Sequence, residues 1–151
     1  MNLQEELKSL KERIAELEKH GKEEREFPQD GDEYWYINPL GFAFHDEWSG
    51  FISEGHKIEI GNVFKTQEQA DFAVEKLKVE AELRKFSRPF ECGAFNCCIC
   101  LDTDEDCFYV DSSRYFQSQG TIHFESKVKA QQAIESVGED RIKKYIFGVE
   151  A

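Results

Sequence analysis

One stretch of this chain occurs twice. Phe64 to Leu77 aligns without a gap on Phe124 to Val137, sixty positions further on. Phe64 corresponds to Phe124, Thr66 to Ser126, Ala70 to Ala130, Ala73 to Ala133, Val74 to Ile134, Glu75 to Glu135 and Leu77 to Val137. A hydroxyl residue suited to capping a helix, two small residues that let backbones approach closely, and branched or leucine-like residues suited to face a sheet recur in the same order. Self-similarity of this kind points to a duplicated supersecondary unit; the alternative is that a strand followed by a capped Ala-rich helix, a common local pattern, arose twice.

The residues around each copy extend the pattern. Before the first lie Tyr34 to Ile37, a turn at Asn38-Pro39-Leu40-Gly41, and Phe42-Ala43-Phe44, which read as a hairpin. Phe51-Ile52 reads as extended, and Lys57-Ile58-Glu59-Ile60 alternates as a half-buried strand does, so a third strand is expected to end near Phe64. Thr66 and Gln69 fit a capping box, opening a helix expected to reach Phe86. Ala70, Ala73, Val74, Leu77 and Ala81 form one apolar stripe on it, and Phe72, Val79, Leu83 and Phe86 a second. The first is expected to cover the helix's own sheet and the second to meet the other module. Before the second copy, Asn96 to Leu101, Cys107 to Val110 and Thr121 to Phe124 are extended runs, the first two joined by the acidic turn Asp102 to Asp106. Gly138 is placed to end the second helix in a left-handed conformation, and Glu139 to Ile146 to form a short closing helix.

Residues 1–26 contain no aromatic and no Pro and consist mainly of Glu, Lys, Leu and Arg. Leu3, Leu7, Leu10, Ile14 and Leu17 are spaced alternately four and three apart, which is a heptad seam. In that register a parallel partner pairs Glu6 with Lys11 and Arg13 with Glu18, both attractively. A homodimer through this helix is expected; the alternative is an amphipathic helix lying on its own domain. The fold class expected is therefore α+β: an N-terminal coiled-coil helix (1–26), a linker (27–32), and two tandem ββ(β)α modules with antiparallel sheets (33–91 and 92–151).

Charge narrows the partners. The chain of 151 residues carries 31 Asp plus Glu against 19 Lys plus Arg, a net charge of -12, so direct binding to nucleic acid or to an anionic membrane is disfavoured. No apolar run approaches a membrane span, and the charged N-terminus lacks a signal-peptide centre, which points to the cytoplasm. Tyr34, Trp35, Tyr36, Phe42, Phe44, Trp48 and Phe51 offer more aromatic surface than one face of a small sheet hides. Beside Asp46 and Glu47 they suit a patch for a basic protein partner; the alternative is that they fill the core under the first helix, since small modules need large side chains.

Motifs for chemistry are lacking. Cys92, Cys97, Cys98, Cys100 and Cys107 include no Cys-x-x-Cys knuckle. On a strand Cys98 and Cys100 share a face opposite to Cys97, with Cys107 close to Cys100 across the hairpin. A zinc set completed by Cys92 competes there with the reading as small buried hydrophobes, which the spacing favours. Asp102, Asp104 and Asp106 resemble the start of a calcium loop, but Cys107 and Ser113 stand where that loop needs Gly and Glu. His20, His45, His56 and His123 lie in no catalytic or ligand pattern, and no glycine-rich phosphate loop occurs. No catalytic residue, metal or cofactor is expected.

Three stretches carry a likeness: Tyr34-Trp35-Tyr36-Ile37; Ile60 to Thr66 leading into Ala73-Val74-Glu75-Lys76-Leu77; and Gly138 to Tyr145. Together they resemble a group of small acidic proteins encoded by phages and prophages of Gram-positive bacteria, often with a Glu- and Lys-rich helix before the aromatic start. The resemblance covers most of the chain beyond Asp32, does not include the cysteines, and carries over no functional residue. By analogy it implies an inhibitor of host defence, acting on CRISPR or restriction, inside the bacterial host. The expected partner is a basic nucleic-acid-binding protein or effector nuclease, met by Trp35, Asp46, Glu47, Trp48, Asp102, Asp104, Glu105 and Asp106. Two other classes stay open: a sponge for a nucleotide second messenger, with Arg84, Lys85, Arg88 and Arg114 lining a cationic pocket, and a coiled-coil scaffold.

Overall fold

The Glu- and Lys-rich start of the chain forms α1 (Leu3–Glu23) in the computed structural model, which describes residues 2–23 and 26–150. Asn2 caps it. Its side-chain oxygen accepts the amides of Gln4 and Glu5 at 2.9 and 3.0 Å, and the Glu5 carboxylate accepts the Asn2 amide at 3.3 Å. Leu3, Leu7, Leu10, Ile14 and Leu17 are between 51% and 79% exposed, so nothing among the described residues covers the seam, as the alternative of a helix lying on its own domain would require. The expected last residues of the helix, 24 and 25, fall outside the described residues.

The aromatic run and its turn form an antiparallel hairpin of β1 (Glu33–Ile37) and β2 (Ala43–Glu47). Asn38 makes the turn with its side-chain oxygen, which accepts the amides of Leu40 and Phe42, while Gly41 takes the positive φ of 84° that a side chain disfavours. The strand expected over Lys57 to Ile60 is instead helical. Residues Ile52–Glu59 form α2. The alternation that suggested a strand leaves Ile58 at 44% and Ile60 at 78% exposure, so it has no sheet to face. The helix is fixed by Glu54, whose carboxylate accepts the Phe51 and Ser49 amides at 3.0 Å each. The expected third strand reduces to a single antiparallel pairing of Phe64 with Trp35. The run at Thr121 to Phe124 likewise reduces to a pairing of Phe124 with Cys97.

After Phe64, α3 (Gln67–Arg84) starts at Thr66, whose hydroxyl accepts the Gln69 amide at 3.2 Å. β3 (Asn96–Asp102) and β4 (Cys107–Ser113) form the second antiparallel pair, in register from Asn96 opposite Ser113 to Asp102 opposite Cys107. α4 (Lys127–Val137) is capped by Ser126, which accepts the Lys129 amide at 3.1 Å. α5 (Glu139–Tyr145) follows directly. Gly138 separates them as expected at a positive φ of 101°, but with ψ 134° it is extended rather than left-handed helical.

Five helices and two two-stranded antiparallel sheets therefore make the described fold α+β. Among the described residues no helix is long and apolar enough to cross a membrane. The chain divides into two compact units, one formed by residues up to Tyr36 with His45–Lys65, the other by Ile37–Phe44 with Thr66 onward. In the second unit α4 packs on β3, β4, α3 and α5. Val79, Leu83, Cys97, Phe124, Ala130, Ala133, Ile134, Val137 and Ile142 form its core. On α3 the buried stripe is Val79 and Leu83, with Phe86 half-buried beside them and Phe72 stacked 5.1 Å from Tyr145 of α5. The stripe expected to cover a sheet is divided: Ala70 is buried and Ala73 and Val74 are half-buried, but Ala81 is exposed and Leu77 is 53% exposed. Arg141 of α5 grips Glu82 of α3 with two hydrogen bonds of 2.7 and 3.1 Å, and this holds the Glu82 carboxyl below its ordinary range.

The two stripes give opposite expectations. Leu83→Asp buries an unpaired carboxylate, which costs several kcal/mol, roughly ~5 and comparable to total stability, and should abolish cooperative melting. Leu77→Asp should shift stability by less than about 0.5 kcal/mol. Thermal denaturation followed by circular dichroism checks both, and equal melts would place the core on the wrong face of α3.

Candidate functional site

The expected aromatic patch is partly interior. In the first unit Tyr34 is fully buried, with Trp48 edge-on at 5.5 Å and Tyr36 at 5.8 Å between ring centroids. Lys57 donates to the Tyr34 hydroxyl at 3.1 Å and its ammonium sits 3.7 Å from the centre of the Tyr36 ring. Glu54 is buried nearby. Burial works to raise its carboxyl pKa, but the amides of Ser49 and Phe51, the Tyr34 hydroxyl and the Lys57 charge outweigh this and hold it below the ordinary value. Trp35 and Trp48 are half-buried, Trp35 lying 5.1 Å from the His45 ring, whereas Asp46 and Glu47 are exposed on β2. Trp35, Asp46, Glu47 and Trp48 thus lie in one unit, at the edge of this cluster.

The other predicted carboxylates cap the β3–β4 hairpin of the second unit. Asp102 is turned inward to the loop, where one oxygen accepts the amides of Asp104 and Glu105 at 3.0 and 3.1 Å. Asp106 takes a positive φ of 49°, and its carboxylate meets the Lys143 ammonium at 3.2 Å. Asp104 and Glu105 are left exposed at the tip. Asp102 therefore builds the turn, while Asp104, Glu105 and Asp106 are exposed, Asp106 at 71% even beside Lys143.

A cleft that the charge count does not announce lies in the second unit. Its inner chamber, about 170 Å³, has the side chains of Leu83, Ile99, Phe124, Ile142, Ile146 and Phe147 in its wall. An outer chamber of about 450 Å³ shares Arg84, Gly120, Thr121 and Ile122 with it and adds Ser87, Arg88, Phe90, Gln117 and His123. Arg88 is held rigidly: its guanidinium donates to the Pro89 carbonyl, the Phe95 carbonyl and the Asn96 side chain, while its amide donates to the His123 carbonyl at 3.0 Å. Arg84 makes only a long contact, 3.5 Å, to Glu80. His123 is buried, edge-on to Phe90 at 5.2 Å, and burial together with the Arg88 charge pushes its pKa down, so it stays neutral.

Of the four cations named from sequence for a pocket, Arg84 and Arg88 line this cleft. Arg114 instead stacks over Phe95 at 4.9 Å, and Lys85 is not in the wall. Phe90, Gln117, Thr121 and His123 were not foreseen, because they come from loops that carry no periodicity. Two guanidinium groups and a neutral imidazole beside an apolar recess can hold an anion attached to an apolar body. Among the described residues no three His, Cys, Asp or Glu converge to hold a metal ion.

Neutral His123 has a consequence for acid stability. With its folded pKa below the ordinary 6.5, its contribution is complete above that pH and is lost as pH falls from about 6.5 toward the folded value. The melting temperature should therefore fall between pH 7 and pH 5, and His123→Asn should flatten that slope. An unchanged slope in differential scanning calorimetry would show that His123 is not the group responsible.

Comparisons with protein-family models, with curated proteins and with solved structures find no significant match to this chain.

Proposed function

We propose that this protein is a non-catalytic, phage-type inhibitor that dimerises through α1 and binds a basic nucleic-acid-handling protein of the bacterial host. The acidic tip of the β3–β4 hairpin carries the reading. Asp102 holds the turn through the Asp104 and Glu105 amides, and Asp104, Glu105 and Asp106 stand exposed around it. A rigid array of carboxylates in a chain of net charge -12 suits a cationic groove that otherwise takes phosphates. Asp46 and Glu47, with Trp35 and Trp48 beside them, supply a second acidic and aromatic surface. The uncovered Leu3 to Leu17 seam favours the coiled-coil dimer.

Two tandem modules are part of the same proposal. In each copy the Phe two residues before the helix cap pairs back to the first strand of the preceding hairpin. Phe64 and Trp35 exchange two hydrogen bonds of 2.8 Å, and so do Phe124 and Cys97. Thr66 and Ser126 then cap their helices alike. Duplication of one unit accounts for this recurrence more simply than two independent origins.

A second reading, a sponge for a nucleotide second messenger, is favoured by the Arg84 and Arg88 cleft. Affinity capture from a bacterial lysate, eluted by salt, separates the two. The inhibitor reading expects a nucleic-acid-binding protein whose binding weakens as salt shortens the Debye length to about 10 Å at 0.1 M. Asp104→Lys with Glu105→Lys should reduce that affinity by about tenfold or more. Capture of no such protein, together with a thermal shift by a cyclic nucleotide that Arg84→Glu removes, would replace the inhibitor with the sponge.

The dimer has its own test. Light scattering after gel filtration should give twice the chain mass for the whole protein and a single chain mass once residues 1–26 are removed. A truncated chain that stays dimeric would move the interface away from α1.

A further inference from the structure

The β3–β4 ladder sorts its side chains by parity. Cys97, Ile99 and Leu101, with Val110 and Phe108 opposite, take one face, and Ile99, Val110 and Phe108 pack on the core. The other face carries Cys98, Cys100 and Asp102, opposite Asp111, Tyr109 and Cys107 respectively. On it the Cys98 and Cys100 sulfurs lie 3.7 Å apart and share a hydrogen bond. Both thiols are half-buried and neither is oxidised.

That spacing excludes one outcome and matches another. Residues two apart on a strand have Cα atoms separated by about 6.6 Å with side chains parallel. A disulfide needs Cβ atoms only about 3.8 Å apart, so the strand itself opposes a direct bond between these sulfurs. A single bridging atom fits. With metal–sulfur bonds of about 2.3 Å, sulfurs 3.7 Å apart subtend about 107° at the metal, close to a tetrahedral angle. Asp111 opposite Cys98 and Asp102 beyond Cys100 add negative potential on the same face, which attracts a cation.

We propose that Cys98 and Cys100 form a bidentate site for one soft ion of the zinc type, Zn²⁺ or Cd²⁺. Each ion bound displaces two protons and forms two metal–sulfur bonds, and no electron is transferred. Because no third His, Cys, Asp or Glu converges with them among the described residues, the remaining positions of the ion are taken by water or a small external ligand. The sulfurs of this site belong neither to the exposed acids of the tip nor to the wall of the Arg84 cleft.

The test titrates the whole protein, fully reduced, with Cd²⁺ alone and follows the ultraviolet sulfur-to-cadmium charge-transfer band, then measures Zn²⁺ by competition with a chromophoric chelator. The expected result is one ion per chain, with affinity lowered about a hundredfold or more by Cys98→Ser or Cys100→Ser, since either change removes the chelate. Cys92→Ser and Cys107→Ser should leave it within about twofold. Circular dichroism checks each fold, and Cys98→Ala and Cys100→Ala repeat the measurement where serine disturbs the strand. Undiminished binding by a folded variant lacking either sulfur would overturn the proposal. So would a Cys98–Cys100 disulfide found by peptide mapping after diamide treatment, because the sulfurs would then not be held at the spacing of a one-atom bridge.

Discussion

A two-stranded hairpin cannot stand alone in water, because it buries at most one face and leaves both edges unpaired. The second unit is arranged around this constraint. β3 and β4 turn Ile99, Val110 and Phe108 inward, and α4 lies against both strands with Ala130, Ala133, Ile134 and Val137 buried. The alanines matter as much as the larger residues, since they let the helix backbone approach the sheet closely. α3 and α5 then close the layer over α4, joined to each other by the bidentate Glu82 and Arg141 pair.

The first unit meets the same problem with far less apolar material. Its fully buried side chain is Tyr34, supported by Trp48, by Tyr36 and by Lys57, with the buried carboxylate of Glu54 fixing the start of α2. A core of this kind depends on satisfied polar groups rather than on area. Among the described residues Glu54 Oε2 is a buried oxygen with no hydrogen-bond partner, while Oε1 accepts the Ser49 and Phe51 amides.

Function, on the reading proposed above, lives on what these cores push outward. The same register that sends Cys97 into the core presents Cys98 and Cys100 on the opposite face. The same tight turn that consumes Asp102 exposes Asp104 and Glu105. Net charge alone does not describe this surface, because a chain with a large acidic excess still gathers Arg84 and Arg88 at one cleft.

The sequence by itself determined the elements with local causes. Helix starts at Thr66 and Ser126, the turn at Asn38 to Gly41, the break at Gly138 and the shared face of Cys98 and Cys100 all follow from side-chain chemistry or strand parity within a few residues. The same holds for the seam of α1, whose period is written in its leucines. Tertiary structure decided what depends on distant partners. Lys57 to Ile60 alternates like a strand but is helical up to Glu59, because among the described residues no strand pairs with it and Glu54 caps a helix instead. Which stripe of α3 is buried was decided by α4 and α5, and the cleft by loops from three parts of the chain that have no period to read. Local rules reach only as far as a hydrogen bond or one turn of helix, whereas burial is settled by residues that meet only when the chain has folded.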